Sequence, residues 1–128
     1  MRAPQWLDDT VRSFGRQFRL EGLTLGERGV AGVRFADGGE FKLEYSQGRL
    51  ALMATRPVAE GAAAAKAVLA AAAHDPRRPY RLRSGIFEGT GRLVVAVRIP
   101  EREVTGDLLA RVFQEVWAAA AAAARRSA

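Results

Sequence analysis

The chain contains no cysteine, which excludes disulfides, thiolate zinc sites and cysteine nucleophiles together. Its only histidine, His74, stands beside Asp75 with no serine, threonine or second ligand at a telling spacing, so it reads as a helix-end residue rather than a base. The acids are isolated and form no metal-binding cluster. Gly89-Thr90-Gly91 falls between two strands, not between a strand and a helix, which is the wrong setting for a phosphate cradle. No run of about 18 bulky apolar residues exists, and Ala118–Ala124 is too short and too small to span a bilayer. Met1–Asp9 carries acids where a secretory signal has its apolar middle. These absences predict a cytoplasmic protein that is not an enzyme, with no catalytic residues, no cofactor and no metal.

What is present is 128 residues, 48% of them hydrophobic, with alanine supplying much of that share. The length predicts one domain over 1–128, with a core resting on leucines, valines and aromatics. The net charge is +6 and almost wholly arginine, Lys42 and Lys66 being the only lysines. The arginines are dispersed, as on a solvated and compositionally biased surface. An alternative reading, a small basic nucleic-acid-binding module, would use Arg77, Arg78, Arg81, Arg83, Arg92 and Arg98 and would lose affinity steeply with salt.

Hydrophobic periodicity gives an α+β order of helix, three strands, helix, two strands, helix. Pro4 suits a first helical position, and Leu7, Val11, Phe14 and Phe18 share one stripe, with Trp6 off its centre and Gly22 as a stop. Val30–Ala36 turns through Asp37-Gly38-Gly39 into a strand with Phe41, Leu43 and Tyr45 on one face. Gln47-Gly48 turns the chain again into Leu50, Leu52 and Ala54, ending before Pro57. Glu60–Ala73 has high helix propensity but only Val68 and Leu69 as bulky apolar residues. Arg81–Phe87 and Arg92–Ile99 form a hairpin with Leu93, Val95, Val97 and Ile99 inward, opposite Leu82 and Ile86. Its other face mixes Arg81, Arg83, Phe87, Arg92, Val94, Ala96 and Arg98, a composition that fits a contact surface. Thr105 is a candidate N-cap for a last helix whose apolar face includes Leu108, Leu109, Val112, Phe113, Val116 and Trp117.

On these residues the chain resembles the class I (Tir-chaperone-like) type III secretion chaperones. The likeness lies in Leu23–Val30, in Phe41–Tyr45 and Gly48–Ala54 as second and third strands, in Gly91–Pro100 as the late strand, and in Leu108–Trp117 as the closing helix. The resemblance implies an α-β-β-β-α-β-β-α fold with a twisted antiparallel sheet packed with helices. It also implies a cytoplasmic bacterial dimer with no catalysis, serving virulence. The partner would be a secreted effector or gatekeeper, held through an extended segment and kept export-competent. Strand edges and apolar pockets are the physical means. The dimer, with itself or with a related chaperone, would use Ala62, Ala65, Val68, Leu69, Phe87, Val94 and Ala96. Trp6, Leu23, Leu25, Val33, Phe35, Leu43, Leu52 and Met53 are the candidates for cargo contact or core. The strong basicity and the alanine-rich middle helix depart from many members of that family.

Overall fold

The computed structural model describes residues 1–58, 66, 70, 75–87 and 91–126. Helix α1 spans Gln5–Gln17. Strands β1 (Val30–Arg34), β2 (Glu40–Ser46) and β3 (Arg49–Pro57) follow, then β4 (Arg83–Phe87), β5 (Arg92–Pro100), a single 3-10 turn at Glu101–Glu103, and helix α2 over Gly106–Arg126. The strands form one antiparallel sheet in the order β1-β2-β3-β5-β4. The expected first and last helices and the five strands are therefore present in the expected order. Of the expected middle helix, Lys66 and Ala70 are helical and the remainder lies outside the described residues.

Strand alternation sorts the sheet into two faces. Phe41, Ala54 and Val95 lie in one row, Leu43, Leu52 and Val97 in the next, and Tyr45, Leu50 and Ile99 in a third. All nine are buried. The helices pack on this face, bringing the Phe14 ring of α1 within 6.1 Å and the Phe113 ring of α2 within 4.7 Å of Phe41. Leu7, Val11 and Phe14 of the predicted stripe are buried, and Phe18 at its end is half-buried. Alanine packs too: Ala120 and Ala123 on α2 are as buried as its valines. The Thr105 hydroxyl accepts the Leu108 amide at 3.1 Å, the N-cap bond expected of it.

Several boundaries shift for physical reasons. Pro4 is the N-cap, its carbonyl accepting the Leu7 and Asp8 amides, and helical geometry begins at Gln5. Gly22 does not stop α1. The Leu20 amide reaches back to the Gly15 carbonyl at 2.7 Å and the Arg19 amide to Arg16 at 3.2 Å, with Arg19 itself at φ 57. That is a Schellman ending with arginine where glycine normally sits, at a cost of about 1 kcal/mol. Gly15 permits the turn: a Cβ there would meet Leu23 Cβ at 2.9 Å and the Leu20 carbonyl oxygen at 3.0 Å. Strand β4 begins at Arg83 rather than Arg81. Ile86, although in the Leu93 row, is 41% exposed because β4 is an outermost strand. Gln47 and Gly48 both take positive φ, which gives the two-residue hairpin its type I′ turn.

Candidate functional site

Three features of the surface carry chemistry. The first is an aromatic seam where α1, α2 and the β1–β2 hairpin meet. Phe18 lies 5.1 Å from Phe14 and 5.0 Å from Phe113, while Phe35 lies 4.7 Å from Trp117. Phe18, Phe35, Phe113 and Trp117 are all half-buried, so each ring packs on one side and leaves area on the other. The Arg56 guanidinium sits 5.1 Å over the Trp117 ring and donates to Asp37 at 2.9 Å. Asp37 in turn accepts the Gly39 amide at 2.9 Å, which ties the turn to the seam.

The second is the sheet face turned away from α1 and α2. Reading across the register, Lys42, Met53, Ala96 and Arg83 form one row. Glu44, Ala51 and Arg98 form a second, and Glu40, Thr55, Val94 and Gly85 a third. The middle of the face is thus small and aliphatic, and its margins are charged. Val30 at one edge is 49% exposed and Phe87 at the other 48%. A depression of about 260 Å³ has Ala51, Met53 and Ala96 as its floor and Glu44, Arg49 and Arg98 on its walls.

The third is a groove of about 500 Å³ between the last two turns of α1 and the Leu20–Thr24 loop. Asp8 clamps that loop to the helix. Its carboxylate accepts the Leu25 amide at 2.8 Å, the Thr24 hydroxyl at 3.0 Å and Arg12 Nε at 3.1 Å. Burial pushes the Asp8 carboxyl up, but these three donors outweigh it and hold it below the ordinary 3.8. At the turn after β5, Tyr45 donates to Glu101 at 2.7 Å and Tyr80 to Glu103 at 2.6 Å. Both phenols are raised, Tyr45 by its bond to Glu101 and Tyr80, to about 12, by burial and then by Glu103.

The structure places the residues singled out from sequence as follows. Leu23, Leu25, Leu43 and Leu52 are buried; Leu25, Leu43 and Leu52 hold the core and offer a ligand no side-chain surface, while the remaining exposed edge of Leu23 lines the groove at the end of α1. Their apolar alternation cannot distinguish a core row from a contact row. Trp6 is 46% exposed on the outer flank of α1. Val33, Phe35 and Met53 are half-buried, Phe35 in the seam and Met53 on the open sheet face. Phe87, Val94 and Ala96 share the open face. Ala62, Ala65, Val68, Leu69 and His74 lie outside the described residues. Among the described residues no three acids or histidines gather to hold a metal, and no helix is long and apolar enough to cross a membrane. Sequence reasoning missed the seam as a surface, because Phe14/Phe18 and Phe113/Trp117 at i, i+4 spacing look like helix cores. It also missed the Asp8 clamp, whose partners Thr24 and Leu25 lie 16 and 17 residues along the chain.

The sequence matches the family model described as Type III secretory system chaperone SycN over residues 6–122. No curated protein matches it. Among solved structures, the chain is similar to one in the Yersinia pestis complex of the type III secretion chaperone SycH with a stable fragment of YscM2. The identity there is 15%, covering 90% of this chain and 97% of that one, with a TM-score of 0.68. A chain of the HopA1–SchA chaperone–effector complex matches at 17% identity, over 87% of each chain, with a TM-score of 0.66. A chain of the heterodimeric ExoU–SpcU complex from the type III secretion system of Pseudomonas aeruginosa matches at 14% identity. It covers 94% of this chain and 97% of that one, with a TM-score of 0.66. At such identities these structures establish the shared fold, while the family model takes in nearly the whole sequence. The chain belongs to the family of the type III secretory system chaperone SycN.

Proposed function

We propose that this chain is a non-enzymatic chaperone of the bacterial cytoplasm. It would bind an extended segment of a secreted effector or gatekeeper, keep it export-competent and deliver it to the secretion apparatus. The observation that carries this reading is the aliphatic centre of the open sheet face, with Met53, Val94 and Ala96 set in a row-by-row pattern that a purely solvated face would fill with polar groups. The solved structures of similar fold hold chaperones with protein partners, which supports the same role here. The chain acts as one domain and pairs through the open face, at Phe87, Val94 and Ala96 together with the middle helix. The second chain is a copy of itself or a related chaperone. Cargo contacts fall on Trp6, Val33, Phe35 and Met53, extended along the seam by Phe18, Phe113 and Trp117.

The test is co-expression with each effector and with the gatekeeper of the same secretion system, with and without related chaperones. Light scattering then reads stoichiometry, and limited proteolysis maps the protected cargo segment. The reading expects a stoichiometric complex protecting an N-terminal cargo segment, and slower export when this gene is deleted. No complex with any of these clients, together with RNA or DNA retained at physiological salt in a gel shift, would replace it with the nucleic-acid reading.

A further inference from the structure

The groove at the end of α1 combines two observations that the packing of the fold leaves unexplained. The first is charge left without a carboxylate. Arg12 is committed to Asp8, but among the described residues the Arg16 guanidinium donates only to the Ser13 hydroxyl, at 3.1 Å, and Arg19 makes no ion pair. The second is backbone conformation. Arg19 stands at φ 57, in the position of the Schellman ending where glycine is free of strain. The carbonyls of the last helical turn favour a cation at Arg16 whatever else binds, so Arg16 alone would carry nothing. Arg19 differs, because glycine there would close the helix better. A side chain kept at a strained position on the wall of a ligand-sized groove points to work done by that side chain.

We infer that this groove binds an acidic segment of the partner protein. Carboxylates pair with Arg16 and Arg19, and an aliphatic side chain rests against Leu20 and Leu23 on the floor. A protein segment fits better than a nucleic acid. No aromatic ring lines the groove to stack a base, and Leu20 and Leu23 in its lining suit an aliphatic side chain, which a nucleic acid does not carry. The Asp8 clamp fixes the opposite wall by holding Thr24 and Leu25 to the helix. The identity of the partner as the secreted client rests on the function proposed above. The site itself stands on this geometry.

The test uses the whole chain and an end-capped octapeptide, Glu-Glu-Leu-Glu-Glu-Leu-Glu-Glu, titrated while the backbone amide spectrum is recorded. The inference expects the amides of Gly15, Arg19, Gly22 and Thr24 to move together, with affinity weakening as salt rises. Arg16→Glu and Arg19→Gly should each weaken binding about three- to fivefold, as for exposed charge pairs. Arg19→Gly should at the same time raise Tm by a few degrees through relief of the left-handed residue. A purely structural Arg19 would give the rise in Tm with unchanged binding, which would overturn the inference. So would equal binding of the glutamine counterpart, unmoved groove amides, or tighter binding of an octauridylate at the same amides. The two readings fail differently. Clients captured equally well by Arg19→Gly and by the natural chain would remove the groove and leave the chaperone. A groove that titrates in a chain that captures no client would remove the chaperone and leave an acidic-peptide site.

Discussion

At the scale of single residues, Asp8 and Gly15 do the same job from opposite sides, holding the Leu20–Leu25 loop against α1. Asp8 is only 9% exposed and accepts from a backbone amide, a hydroxyl and a guanidinium. Asp8→Asn keeps the shape but removes the charge that strengthens all three bonds, and urea denaturation at pH 7 should show a loss of about 1–3 kcal/mol. Because the folded carboxyl lies below its ordinary 3.8, its contribution is complete above that value. It is lost as pH falls through the folded pKa, so the natural chain and Asp8→Asn should converge in strong acid. Gly15→Ala would raise helix propensity by about 0.5–1 kcal/mol on an open helix. Here the new Cβ meets Leu23 Cβ and the Leu20 carbonyl, neither of which can move freely, so the variant should melt below the natural chain in a calorimetric scan.

At the scale of elements, the short turn after β5 is a joint rather than a connection. Tyr45 reaches it from β2 and Tyr80 from the segment before β4, each through a glutamate of the same turn. These are the only two tyrosines in the chain, and both are raised. An absorbance titration of the native protein should therefore show little phenolate at pH 10, whereas in denaturant both phenols should titrate there. Tyr80→Phe should leave a single native transition belonging to Tyr45. None of this joint is legible in the sequence, since it depends on partners 56 and 23 residues away. Elements governed by local rules were legible: the alternation of Phe41, Leu43 and Tyr45, the Asp37-Gly38-Gly39 turn and the Thr105 cap all follow from nearby residues. The ending of α1 was not, because Arg19 occupies a conformation that its residue type disfavours. Gly22, which does take positive φ, is simply the more conspicuous signal.

At the scale of the whole molecule, burial on one sheet face follows from the pleat, but occupancy of the other face does not. Alternation says that Ala51, Met53, Val94 and Ala96 point away from α1 and α2 without saying what they meet. The proposed pairing can be probed at Ala96, the half-buried centre of that face, which lies between Met53 and Arg83 in the register. A glutamate there would find the Arg83 guanidinium across the strand pair, so the isolated fold should tolerate it with little change in Tm. The same carboxylate would be stranded if a second chain covered the face, because burying it away from water costs several kcal/mol. Ala96→Glu is therefore expected to leave the circular dichroism spectrum intact while shifting light scattering from dimer to monomer, at concentrations where the natural chain is paired. Ala96→Ser, nearly isosteric and uncharged, should remain dimeric. If Ala96→Glu still pairs as the natural chain does, the dimer contact lies elsewhere, and the aliphatic centre of the open face must meet the cargo instead.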